Sequence, residues 1–166
     1  MANEVMMQDF EWDTPSDGSF YRNLVKNAKK LKENGIDALW LPPMTKGGSD
    51  MDVGYGAYDL WDLGEFDQKG TVRTKYGTKE ELHEAIDALH DAGIKCYADV
   101  VLNHKGSGDE KEKFQAIMVD QNNRNQDVSE AHDIQAWTHF TFPGRKGKYS
   151  EMQWHWYHFT GVDHDD

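Results

Sequence analysis

The chain has 166 residues, enough for one ordinary domain with a sizeable core, and its apolar share is close to that of globular proteins. Its 18 Lys and Arg against 30 Asp and Glu give a net charge of −12, which repels phosphate backbones and anionic lipid. Nucleic acid and membrane surfaces are thereby excluded as partners, while a neutral ligand or a bound cation fits.

The N-terminal residues MANEVMMQDFEWD lack a basic segment followed by an apolar stretch, and no run approaches the ~20 apolar residues of a membrane span. These features lead us to expect a cytoplasmic protein, or a secreted one whose signal has been removed. One cysteine, Cys96, permits neither an intrachain disulfide nor an all-thiolate metal site.

Val5–Phe10 reads as a first short strand. After the turn-rich Thr14–Ser19, Phe20, Leu24, Ala28 and Leu31 recur at helical spacing, and Asn34-Gly35 closes that helix. Ile36–Pro43 follows as a buried strand stopped by two prolines. Thr78 and Glu81 form a capping box at the head of a second helix, whose stripe is Leu82, Ala85, Ile86 and Leu89 and whose stop is Gly93.

Ile94–Asn103 is the third strand. Helix, glycine and strand, occurring twice, predict consecutive βα units with parallel strands. In the third strand Ile94, Cys96, Ala98, Val100 and Leu102 make an apolar face expected under helices. Tyr97, Asp99, Val101 and Asn103 make the other. A barrel interior leading to a polar site accommodates Asp99 better than an open doubly wound sheet does.

After His104 the periodicity fails, so 105–166 reads as an excursion of irregular β structure. The domains expected are 1–104 and 105–166.

Several residues invite chemistry. The loop Val53–Phe66 carries Tyr55, Tyr58 and Trp61, whose rings would either face a sugar or pack among themselves. Asp99 lies below the strand's end and reads as a structural carboxylate more than a catalytic one. Asn103 offers a calcium-binding carbonyl or a loop cap, and His104 a donor to a sugar hydroxyl or a surface histidine. His155 and His158 read as packing residues rather than a zinc pair, because the segment lacks helical character. Asp120–Asn125 lacks the Gly and Glu of a calcium loop. Asp163, Asp165 and Asp166 read as a solvated acidic run.

Taken together, QDFEWD, LWLPP, VGYGAYDLWDLGEFDQKGTVRTKYGTKEEL, DVVLNHK, AWTHFTFPGR and QWHWYHF resemble the α-amylase family of glycoside hydrolases, in its liquefying bacterial branch. The resemblance runs nearly end to end. It implies a (β/α)8 TIM barrel of which 1–104 supplies strands one to three, with 105–166 beginning the inserted domain B. It implies that Tyr55 and His104 contact sugar, with Gln8, Trp12 and Tyr58 near the same pocket. By the same resemblance Asp99 is a supporting carboxylate and Asn103 one calcium ligand of a site incomplete in this chain.

The implied reaction is retaining endo-hydrolysis of α-1,4-glucosidic bonds in starch-type glucans and maltooligosaccharides. Its nucleophile and acid/base follow later strands, so none of the catalytic carboxylates is expected before Asp166. Thr160 stands where secreted members usually carry an Asp of an additional metal cluster, which agrees with a cytoplasmic member. The alternative is a non-catalytic glucan-binding module.

Overall fold

A computed structural model describes residues 3–166. The described residues form two compact units, 3–107 with Pro143–Ser150, and Gly108–Phe142 with Glu151–Asp166. The excursion expected at 105–166 therefore returns eight residues, 143–150, to the first unit. Among the described residues no helix is long and apolar enough to cross a membrane.

In the first unit, strands β1 (Met6–Gln8), β2 (Ala38–Leu41) and β3 (Lys95–Ala98) make a parallel sheet in that order. Helices α1 (Phe20–Glu33) and α2 (Lys79–Asp91) form the two crossovers. Central β2 is buried almost throughout, as a strand between two parallel neighbours requires. The core joins Leu39 and Leu41 to Leu24 and Ala28 of α1, Leu82, Ala85 and Leu89 of α2, Tyr76 and Ile94. Tyr21, outside the expected stripe of α1, is fully buried, whereas Phe20 and Leu31 are only partly so.

β3 is shorter than Ile94–Asn103. Its ladder ends at the Leu41–Ala98 pair because Pro42 and Pro43 follow β2, and proline has no N–H to donate. The apolar face expected under helices is covered only at its start. Ile94 is buried, but Val100 and Leu102 are 61% and 76% exposed, beyond the reach of α1 and α2.

The capping box of α2 is present. The Glu81 backbone N–H donates to Thr78 Oγ1 at 3.3 Å, and the Thr78 N–H donates to Glu81 Oε2 at 2.9 Å. The same Glu81 pairs with Arg22 of α1. Thr78→Ala should lower unfolding stability by about 1 kcal/mol, read by urea titration, since it orphans a helix N-terminal amide.

The long connection from β2 to α2 is held by buried charges. Lys46 Nζ donates to the carbonyls of Phe66 and Thr71 at 3.0 and 2.9 Å and lies 3.4 Å from Asp62. Asp62 Oδ1 accepts from the amides of Gly64, Glu65 and Phe66. Gln68 Nε2 bridges Asp59 and Asp62, and Arg145 Nε reaches Asp59 at 2.8 Å. Arg145 joins the segment 143–150 to this unit, together with Lys148 and Tyr149, which both bond Glu65.

In the second unit, β4 (Glu110–Ala116) pairs antiparallel with β5 (His132–His139), with an irregularity between Glu110 and Glu112. Phe140 exchanges backbone hydrogen bonds with Trp154, ahead of a short 3-10 turn at Trp156–His158. His155 Nδ1 lies 2.9 Å from Glu112, its ring stacks on His139 at 4.3 Å, and its N–H donates to His158 Nδ1. These contacts use the histidines in packing. The acidic run is not simply solvated: Asp165 Oδ1 accepts from the Gln135 amide, and the Asp166 N–H donates to the Gln135 carbonyl.

Candidate functional site

At the C-terminal end of the sheet, β2 and the loop that follows it meet at one carboxylate just after β3. Trp40, paired in register with Gln8 on one side and Tyr97 on the other, donates its indole N–H to Asp99 Oδ2 at 3.2 Å. Tyr55, from the loop after β2, donates its hydroxyl to the same oxygen at 2.7 Å. Burial, the Asp99 hydrogen bond and its charge push the Tyr55 phenol up to about 12, so the ring stays neutral and donating. Asp99 is thus a partly buried acceptor that fixes two aromatic rings.

His104 lies behind Tyr55. Its Nε2 is 2.7 Å from the Tyr55 carbonyl, which obliges that nitrogen to carry the hydrogen and donate it. Nδ1 is then left to accept from Asn103 Nδ2 at 3.4 Å. In this arrangement the His104 hydrogen is used on the protein's own backbone.

In front of Tyr55 opens a cleft of about 230 Å³ lined by Gln8, Phe10, Glu11, Trp12, Trp40, Val53 and Tyr55. Phe10 packs edge-on against Trp40 at 5.7 Å, and Gln8 Nε2 donates to the Phe10 carbonyl at 2.9 Å. Trp12 is 71% exposed and stands at the rim. Aromatic faces beside an amide and a carboxylate suit a ligand with an apolar ring face and a polar edge.

The structure brings Gln8, Trp12 and Tyr55 together, with Asp99 and His104 directly supporting Tyr55. Tyr58 does not join them. It is 1% exposed, Lys69 Nζ covers its ring at 4.3 Å, and it packs inward, while Trp61 is exposed elsewhere on the same loop. Phe10, Trp40 and Val53 were not singled out by the sequence, although the alternation of β2 sets Trp40 opposite Leu39 and Leu41 and so toward the Asp99 side.

Calcium takes roughly six to eight oxygen ligands. Asn103 is exposed and offers one amide oxygen, and among the described residues no group of three or more His, Cys, Asp or Glu is placed to hold a metal. The residues described here do not by themselves fit the ion.

The family model "Alpha amylase, catalytic domain" matches residues 22–161. The chain belongs to the α-amylase family. It is 56% identical over 164 residues to the alpha-amylase of Bacillus licheniformis, covering 99% of this chain and 32% of that protein. It is 44% identical over 165 residues to the cytoplasmic alpha-amylase of Escherichia coli, covering 99% of this chain and 33% of that one. A solved structure of truncated alternansucrase from Leuconostoc mesenteroides superposes with a TM-score of 0.72 at 25% identity, over 88% of this chain and 14% of that one.

The chain therefore spans about a third of the length of the curated α-amylases it matches. Family membership and structural likeness place its fold in the TIM-barrel class, and the parallel β1–β2–β3 sheet with its two crossover helices agrees with that class.

Proposed function

We propose that the chain is the N-terminal part of an α-amylase-like glycoside hydrolase, in which Tyr55, Trp12 and Gln8 bind an α-1,4-glucan and Asp99 and His104 hold Tyr55 in place. The observation that carries this is the double hold on Tyr55, with its phenol on Asp99 at 2.7 Å and its carbonyl on His104 at 2.7 Å, beside an aromatic cleft. A ring fixed at both ends loses little freedom on binding, which favours stacking on a sugar face.

On this reading β1 to β3 are the first three strands of the (β/α)8 barrel, and the second unit begins domain B. Support comes from the apolar residues left exposed on β1 and β3, Met6 and Tyr97, which further strands would cover. Retaining hydrolysis needs two carboxylates about 5–5.5 Å apart, one as nucleophile and one as acid/base. We place both outside these 166 residues, so the chain contributes binding and orientation while other strands contribute bond cleavage. Calcium would take Asn103 as one ligand and draw the others from beyond the residues described. A cytoplasmic location is proposed from Thr160 and from the relative named as cytoplasmic.

Titrating maltoheptaose while following tryptophan fluorescence tests the binding role. Saturable binding is expected, weakened about tenfold or more in Tyr55→Ala, because the stacking face is removed. Equal binding by the variant would overturn the assignment of Tyr55. The same purified chain should release no reducing sugar from starch, and measurable hydrolysis would show that a catalytic pair lies within it.

A further inference from the structure

We propose that Asp52 is a positioning residue for Tyr55, its carboxylate gathering the glycine-rich loop so that the tyrosine stands between two amides held by one oxygen. This rests on reading Tyr55 as a sugar-binding aromatic. Asp52 Oδ1 accepts from the Gly54 amide at 2.8 Å and from the Gly56 amide at 3.1 Å, the residues on either side of Tyr55. Oδ2 accepts from the Gly48 amide at 3.0 Å, closing the loop on itself. A carboxylate with three N–H donors is strongly held, since each bond is charge-assisted.

The glycines belong to the same device. A Cβ on Gly47 would lie 2.4 Å from Asp52 Cγ, and one on Gly56 would lie 2.2 Å from Oδ2. Only residues without a side chain let the backbone come so near the carboxylate. Gly54 adds a φ of +101°, with Pro43 2.6 Å from where its Cβ would be. Asp52 does not line the cleft, so it acts through Tyr55 and not on a ligand.

The loop's grip decides where Tyr55 can reach. With both neighbouring amides fixed, the Tyr55 carbonyl meets His104 and its phenol meets Asp99 without a search through loop conformations. Without the grip, the glycines on both sides leave the tyrosine free to swing, and each hydrogen bond must then offset that lost order.

The test compares Asp52→Ala, Asp52→Asn and Gly56→Ala in the full chain. Asn keeps the Oδ1 acceptor for Gly54 and Gly56 and loses only the Gly48 bond. Gly56→Ala keeps the carboxylate but drives it off the loop, and it serves if Asp52→Ala fails to fold. Maltoheptaose affinity by tryptophan fluorescence is expected to fall about tenfold in Asp52→Ala and Gly56→Ala and only about threefold in Asp52→Asn. The ring-carbon NMR signal of Tyr55, assigned with Tyr55→Phe, should shift in the first two variants and return toward its original position in the third.

Unchanged affinity and an unchanged Tyr55 signal in folded Gly56→Ala and Asp52→Ala would overturn the proposal, even with a lowered melting temperature. If the unaltered chain binds no maltoheptaose yet the Tyr55 signal follows the variants as described, the sugar reading fails and the positioning role stands.

Discussion

Replacing Arg145 with alanine is expected to cost the first unit about 3–5 kcal/mol. Arg145 is 2% exposed and Asp59 is fully buried, so the change leaves a carboxylate without its cation in a place water does not reach. The Trp61 amide and Gln68 Nε2 still donate to Asp59 but carry no charge, and the Lys46 ammonium, which pairs with Asp62, acts on it only from a distance. Arg145 also donates to the carbonyls of Lys148 and Ser150, which lose a partner in the same step. Lysine is no substitute, because an ammonium carries its donors on one atom and does not reproduce the spread of the guanidinium between Asp59 and the Lys148 and Ser150 carbonyls.

A double-mutant cycle separates charge from shape. In an Asp59→Asn background the Arg145→Met change should cost well under half as much, since no buried anion is orphaned. Urea unfolding followed by tryptophan fluorescence reads all four corners. Equal costs in both backgrounds would assign the effect to packing rather than to the ion pair.

How much of this was legible in the sequence depends on how local the signal is. The capping box at Thr78 and Glu81 and the glycine stop at Gly93 lie within one helix and were read from spacing alone. The sequence predicts a longer third strand because its residues stay strand-like past Ala98. What ends it lies after the neighbouring strand, where Pro42 and Pro43 close the ladder. β4 lies in KGSGDEKEKF, a polar, glycine-punctuated stretch in which the sequence shows no strand periodicity. As one half of a hairpin it needs only alternate residues turned inward, here Glu112, Phe114 and Ala116.

The cleft shows the same division. Tyr55, Trp12 and Gln8 were found through a resemblance to whole motifs, and Asp99 through its place on a strand. Tyr55 and Tyr58 are three residues apart on a loop without periodicity, so no spacing rule says which ring faces the cleft and which is buried. Arg145 and Asp59 are 86 residues apart, and no local pattern announces such a pair.

Asp9 gives the second large effect, with the opposite sign. It lines a cavity of about 340 Å³ with Phe20, Leu24, Leu31 and polar residues of α1, and burial raises its carboxyl from 3.8 to about 6. The folded chain therefore holds a proton that the unfolded chain has already lost between about pH 4 and pH 6. Stability falls as pH rises through that window, and above it the folded state carries the full cost of a partly buried charge. A difference of two units corresponds to about 3 kcal/mol, and the part of the side chain that meets solvent reduces this to about 1–3 kcal/mol. Asp9→Asn should thus stabilise the chain by that amount at pH 7 and change it by well under ~1 kcal/mol at pH 4, where Asp9 is neutral in the folded state and only about half ionised in the unfolded one. Glu65, held down near 2 by Lys148 and Lys79, titrates the other way, but it is common to both proteins and cancels in their difference. Paired urea titrations of the two chains at pH 4 and pH 7 measure the effect. A stability gain of the same size at both values would mean that the asparagine acts through packing, and that Asp9 is not the group whose ionisation strains this end of β1.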